Sequence, residues 1–564
     1  MSLFKRGTDP VLIIGLVISI LFVGIAILFP LAMMLGSALT QEALPYFERF
    51  LLRPAFQQII GRTLVLGACV AVVGTLVGFI FAFFQARVAA PAWLKRAAHW
   101  MALVPVVSPP FAVAIAFSTL FGRNGLITYK TFGVRGEIYG LFGMTVVMAL
   151  SFFPAAYLNM VGLMRALDPA LDEASTNLGA NRFTTFRKVT LPMLAPGIAS
   201  SLLLLFVEAI ADLGNPLTIG GDYVVLAVRL FIAITGEYDV LAGAVLSVIL
   251  LVPSLIVYLI QKYWADRASV VSVTGKPTGT VNLLTDWRVR GPIIAIVVFV
   301  AALTALLYLT IVVGAFTVLL GIDNSFTLKN FEYVISGVGQ DAFAVTTTLS
   351  AISTPIAGVL GMLIAFLVVR RKFFGRAALD FGTMLGIAVP GTIFGIGYLL
   401  AFNDPTKVGD FTLIPKLTGG RAVFGGALAI VMVYVIRSVP AALRGGVAAL
   451  QQIDPSLEEA STSLGANTAT TFRRITLPLI RPAFFSGLIY AFSRSMTTIS
   501  AVIFLTTPAT KIMTQQIYNE TDANRFGNAF AYVVVLIVIV LVVIGILSFL
   551  VGIDTGARRR ERIA

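Results

Sequence analysis

About twenty consecutive apolar residues let a helix cross the hydrocarbon of a bilayer, and runs of that length recur twelve times in this 564-residue chain. They lie near 11–37, 63–85, 100–121, 138–164, 195–215 and 240–261, then near 292–317, 345–369, 381–402, 422–443, 483–506 and 530–552. In lipid a chain must satisfy its own backbone polar groups, which a helix does internally. The pattern therefore predicts an all-α polytopic membrane protein. Composition agrees: 58% of residues are hydrophobic and 12% charged, against roughly 25% charged in a soluble domain. Lys5 and Arg6 ahead of the first run resemble the charged end of a signal peptide. The run is too long for one and lacks a small-residue cleavage site, so it reads as a retained helix. One cysteine and one histidine, Cys69 and His99, exclude a disulfide framework and a Cys/His metal cluster.

Twelve crossings put both termini on one side. Assigned to alternate loops, the 41 basic residues divide into 27 on that side and 14 on the other, and the 27 acidic residues into 12 and 15. The positive-inside rule then places both termini in the cytoplasm. The net charge of +14 thus gathers in loops such as Arg370-Arg371-Lys372 and the tail Arg558-Arg559-Arg560. These clusters read as topology signals beside apolar spans, and a nucleic-acid partner loses its support.

The chain also contains itself twice. DPALDEASTNLGANRFTTFRKVTLPMLAPG begins at Asp168 and DPSLEEASTSLGANTATTFRRITLPLIRPA at Asp454, with 19 of 30 positions identical. Weaker echoes pair Pro154 with Pro440 at the same 286-residue offset, and Pro105 with Pro390 at 285. A repeat of this length marks one structural unit used twice. The organisation predicted is a six-span half over 1–265, a polar cytoplasmic linker over 266–291, and a second six-span half over 292–564. Six is even, so the halves insert in the same orientation.

Local chemistry gives the repeated loop a shape. Asp168 followed by Pro169 is an N-cap before proline at the first helical position. A short helix through Glu173 and Ala174 is expected to end at Leu178-Gly179, glycine suiting a left-handed cap. Asn181 caps a second helix that carries Arg187 and Lys188 in its last turn, and Pro192 is expected to close it. Asp454-Pro455, Gly465, Asn467, Arg473-Arg474 and Pro478 repeat each mark. Two short helices meeting at a glycine elbow make a compact protrusion, shown once per half, which suits a partner that is itself a dimer.

Glu-Ala-x(4)-Gly followed by Leu-Pro, as in Glu173-Ala174, Gly179, Leu191-Pro192 and in Glu459-Ala460, Gly465, Leu477-Pro478, resembles the signature loop of binding-protein-dependent ABC importer permeases. The third signature residue, often alanine there, is Ser175 and Ser461 here. The resemblance implies two homologous six-helix halves of the type I ABC importer permease kind. It also implies a coupling helix in each loop, seated in a groove on each subunit of a homodimeric cytoplasmic ATPase, and a periplasmic or extracellular substrate-binding protein. Two such halves in one chain most resemble the iron(III)-type permeases. The segment Ala211-Asp212-Leu213-Gly214-Asn215-Pro216, Gly220-Gly221, and Arg494-Ser495-Met496-Thr497 also look like that group. Related permeases for phosphonates, phosphorylated sugars and polyamines share much of the pattern.

A phosphate-binding loop needs Gly-x(4)-Gly-Lys-Ser/Thr, but Gly275-Lys276 is followed by Pro277 and has Val270 in place of the first glycine. ATP and Mg²⁺ therefore belong to a partner, and no cofactor, metal site or catalytic residue is expected on this chain. His99 beside Trp100 reads as interfacial and Cys69 as packing. Intramembrane charges are costly and point to function. Glu208 and Asp212 share a helix face in the fifth run, and Arg494 stands at the position in the second half matching Glu208. Glu208, Asp212 and Arg494 are candidates for lining the translocation path, with Glu208 and Arg494 able to pair, the alternative being boundary charges reaching for the surface. Pro105, Pro109 and Pro110 in the third run and Pro390 with Gly391 in the ninth suggest broken or kinked helices, which lipid tolerates only when buried in protein or lining a cavity, so Pro105 and Pro390 join the path candidates. Gly74-x(3)-Gly78 and Gly391-x(3)-Gly395 read as packing sites. A twelve-span secondary carrier would carry a charged signature where this chain has Gln85-Ala86-Arg87-Val88-Ala89-Ala90-Pro91, and has no need of a duplicated capped loop. The mechanism expected is alternating access driven by the partner ATPase.

Overall fold

The computed structural model describes residues 10–267 and 283–561. Most of the 266–291 linker, with Gly275-Lys276, lies outside them, as do Lys5 and Arg6. Among the described residues, eleven helices are long and apolar enough to cross a membrane, and the count is twelve when one bent pair is taken as a single span. The first six are Ile13–Ala38, Pro54–Arg87, Pro110–Thr131, Leu141–Ala166, Arg182–Ala211 and Val240–Tyr263. The next six are Trp287–Ala315, Gln340–Arg370, the pair Arg376–Ala388 and Gly391–Phe402, then Val423–Gln451, Phe472–Thr497 and Phe526–Gly552.

The helices gather into two compact units that cut across the sequence halves. One holds the first span together with Phe331–Asn519 and the chain from Val534 on; the other holds Leu44–Asn330 with Glu520–Val533. Each unit thus takes the opening span of the opposite half.

In the first unit, the opening span widens into a π-helical turn at Val23–Leu28. There the Ala26 carbonyl accepts from the buried Tyr398 hydroxyl at 2.8 Å, and Phe29 packs on Phe402 with ring centroids 5.7 Å apart. The eighth span lies close against the tenth: a Cβ on Gly361 would meet the Ala442 Cβ at 2.5 Å and the Leu443 nitrogen at 3.1 Å. Small residues allow such approach between helices that gain little from burial against each other in lipid.

The second unit repeats this contact between its second and fourth spans, where a Cβ on Gly78 would meet Ala156 and the Tyr157 nitrogen, both at 2.8 Å. The seventh span joins this unit through Tyr308, whose hydroxyl is hydrogen-bonded to Ser108. His99 is tied inward as well, its Nδ1 lying 2.6 Å from the Tyr157 hydroxyl.

Broken spans occur where prolines predicted them, with a change of partner. In the second unit, helices Ala92–Leu103 and Pro110–Phe121 are separated by a 3₁₀ turn at Val104–Val107. Pro105 sits in that turn, and Pro109 caps the following helix. In the first unit the ninth span bends by 108°, and Pro390 caps Gly391–Phe402. Pro109, rather than Pro105, is therefore the structural counterpart of Pro390. The two 12-residue helices that follow match at an offset of 281, and the extra turn Val104–Val107 accounts for the four-residue drop from 285.

Candidate coupling loops

Each repeated loop is built from its caps outward. The Asp168 carboxylate accepts from the Ala170 N–H at 3.0 Å and opens the helix Pro169–Asn177. Gly179 then takes φ +82°, in the left-handed region that L side chains avoid. Its N–H bonds the Thr176 carbonyl at 2.9 Å, and the Ala180 N–H bonds the Ser175 carbonyl at 3.1 Å. This pair of bonds is a Schellman cap, which satisfies the helix's last carbonyls and turns the chain sharply. Asn181 accepts from the Thr184 N–H at 2.8 Å and starts the next helix.

The second loop repeats the construction. Asp454 accepts from the Ser456 N–H at 2.9 Å, and this bond, with one from the Ser456 side chain, holds its carboxyl below the ordinary range. Gly465 stands at φ +84°, with bonds of 3.0 and 3.1 Å from Gly465 and Ala466 to Thr462 and Ser461. Asn467 caps Thr470 at 2.8 Å.

Pro192 does not close the second short helix. The chain runs without a stop from Arg182 to Ala211, through a π-helical stretch at Phe186–Thr190. Proline lacks the N–H for the carbonyl four residues back. The wider π turn accommodates this by shifting the register, so that the Leu191 N–H bonds Phe186 instead. Pro478 follows the same solution, with a π stretch at Phe472–Thr476. Each loop is thus the rigid extension of a span.

Two kinds of tie hold the loops, a hydroxyl pair across each elbow and an ion pair to the end of a neighbouring span. The Ser175 hydroxyl meets that of Thr185 at 2.9 Å, and Ser461 meets Thr471 at 2.8 Å, joining the two short helices across the elbow. Serine in the third signature position is therefore a hydrogen-bonding partner. Arg87, at the end of the second span, pairs with Asp172. Arg370, at the end of the eighth, pairs with Glu458 at 3.1 Å and also donates to the Leu450 and Ile453 carbonyls at 3.0 and 2.9 Å. Sequence reasoning missed both pairs. Their signal was there, since Asp172 and Glu458 occupy the same place in the repeat and each basic partner ends the second span of its half.

The signature Glu173, Ala174, Glu459 and Ala460 all face outward. Beside them the elbow leucines stand almost fully bare, Leu178 at 88% and Leu464 at 89% exposed, and Phe183 at 70%. A polar protrusion tipped with bare apolar side chains is a surface shaped for a partner. Leu191, Pro192, Leu477 and Pro478 lie where each loop enters its span. In the first loop alone among the described residues, the chain just ahead of the seventh span joins in: Leu284 pairs with Val88 as a parallel bridge, with bonds of 2.7 and 3.0 Å.

The candidate path residues sit at helix ends. Glu208 and Arg494 each lie three residues before the end of their span, one in each compact unit. Asp212 is buried and accepts from the Asn215 N–H and side-chain amide at 3.0 and 2.8 Å, which holds the turn into Gly214–Ile219.

These features define a class before they define a family: a polytopic membrane permease unit, used twice, each copy showing one rigid capped loop. Comparison with known families gives the second step. The binding-protein-dependent transport system inner membrane component matches residues 74–270 and again 357–553, and the chain belongs to that family. It is 33% identical over 507 residues to the ferric transport system permease protein FbpB of Actinobacillus pleuropneumoniae, covering 88% of this chain and 71% of that protein. A putative FbpB of Haemophilus influenzae is 34% identical over 478 residues, with coverage of 82% and 72%. A probable sulfate transport system permease of Nephroselmis olivacea is 32% identical over 168 residues, covering 30% of this chain and 58% of its own.

Proposed function

We propose that this permease carries ferric iron inward, fed by a substrate-binding protein and driven by a separate ATPase dimer that docks on the two loops. The observation that carries the substrate is the extent of similarity to the two ferric permeases, which runs through both halves. The sulfate permease shares a stretch of 168 residues, which speaks for the shared machine and not for the cargo. Iron(III) is a hard cation suited to oxygen ligands, but a permease fed by a binding protein need not hold it tightly. Uptake should follow radioactive ferric ion, and unlabelled phosphonate, phosphorylated sugar or polyamine should not compete. Competition by any of these would reassign the cargo.

In this reading ATP and Mg²⁺ bind the partner, and closure of its dimer is passed through the loops into the fifth and eleventh spans. The apolar tips Leu178 and Leu464 support docking, because bare leucines on polar protrusions gain by burial. The charge bias of the loops supports a cytoplasmic position for both. The sole native cysteine makes this testable. In a Cys69→Ala background, a membrane-impermeant maleimide should label Asp222→Cys in intact spheroplasts and Leu178→Cys only after lysis. The reverse pattern would overturn the orientation.

A further inference from the structure

The ninth span poses a hydrogen-bonding problem at its bend. Its first helix ends at Ala388 and its second begins at Gly391, with Pro390 between. In an unbroken helix the Gly386 carbonyl would accept from the N–H of residue 390, but proline has none. The Val389 carbonyl is stranded too, since the Ile393 N–H bonds Pro390 at 3.1 Å instead. Lipid offers nothing to replace these bonds.

The tenth span answers with a buried arginine. A single nitrogen of Arg437, Nη1, donates to the Gly386 carbonyl at 3.0 Å and to the Val389 carbonyl at 2.9 Å. The residue is 7% exposed and lies in the middle of Val423–Gln451. It also places positive charge at the carbonyl end of Arg376–Ala388, where a helix dipole favours it. The same position in the first half is Ser151, whose neutral hydroxyl is shared between the Val147 carbonyl of its own helix at 2.9 Å and the Pro110 carbonyl beside the other break at 3.1 Å. A permanent charge within a span is expensive, and the matching position in the first half carries none.

We infer that Arg437 stands in for the N–H that Pro390 lacks, holds the ninth span bent, and so positions the half-helix Gly391–Phe402 for transport. It is a positioning residue and acts through that half-helix. That half-helix is itself buried along most of its length, so a shift in its direction cannot be absorbed locally.

Spin labels at Ala378→Cys and Leu400→Cys, in the Cys69→Ala chain reconstituted in nanodiscs, read the bend directly. The parent should give one narrow distance distribution. Arg437→Gln should broaden it and lower ferric uptake at least tenfold, whereas Arg437→Lys, which keeps a cationic donor, should stay narrow with uptake within threefold of the parent. A parental distribution in Arg437→Gln overturns the inference, as does broadening in Arg437→Lys equal to that in Arg437→Gln. Should Arg437→Gln not accumulate, Arg437→Lys decides alone: narrow supports, broad overturns. The role in transport rests on the permease reading, but the distance measurement needs no cargo. A parent that takes up no ferric ion would sink the iron assignment and leave the bend untouched.

Discussion

Valine at both Gly179 and Gly465 should lower uptake at least tenfold while ATP hydrolysis by the assembled complex continues. Both glycines hold positive φ, +82° and +84°, and a Cβ at either would meet nothing within 4 Å. The penalty is therefore purely one of backbone conformation, on the order of 1–3 kcal/mol per site for a β-branched residue. The loop can escape only by leaving the left-handed region, which breaks the Schellman bonds and swings Leu178 and Leu464 away from their positions. Docking through the remaining surface should persist, so the loss should fall on the ratio of cargo moved to ATP spent. Asparagine tolerates the left-handed region, and Asn at both positions should keep most of the coupling. Reconstituted vesicles with the cognate binding protein and ATPase give both rates. Undiminished uptake in the valine double variant would remove the elbows from the coupling path.

Removing Arg370 should be the most damaging single change in either loop. Its guanidinium serves Glu458 and two backbone carbonyls at once, and its side chain is 11% exposed against 20% for Glu458. Breaking a buried pair from one side costs about 3–5 kcal/mol, because the remaining charge stays desolvated; the exposed edge of Glu458 brings the expectation to the low end of that range. Arg370→Ala should therefore lower the thermal midpoint and abolish copurification of the ATPase. Glu458→Gln, which keeps an acceptor for the arginine, should be much milder. Arg370→Ala with an unchanged midpoint and normal copurification would show that the pair is ornamental.

What could be read ahead of the structure was what local chemistry settles. The caps at Asp168 and Asn181 and the turn at Gly179 follow from residue types within a few positions of one another, and they formed as expected. Pro192 misled because a proline's effect depends on the turn before it, and a π stretch is not written in any short pattern. Arg437 was visible as an ionisable residue inside the tenth apolar run. Its task was not visible, since nothing in the sequence says that the tenth span lies against Gly386 and Val389. Ser175 and Thr185 stand ten residues apart and meet only because the elbow folds them together.

The interleaving of the two compact units carries a consequence for biosynthesis. The first span leaves the ribosome well before the helices it packs against, since Ala43 and Phe331 are separated by about 290 residues. Tyr398 follows Ala26 by 372 residues, so at synthesis rates of roughly 5–20 residues per second the span waits about 20–75 s before Tyr398 arrives to meet the Ala26 carbonyl. During that interval an unclosed helix is held in reserve by its own hydrophobicity. The membrane itself thus acts as the store that keeps an early piece of the chain available to a late one.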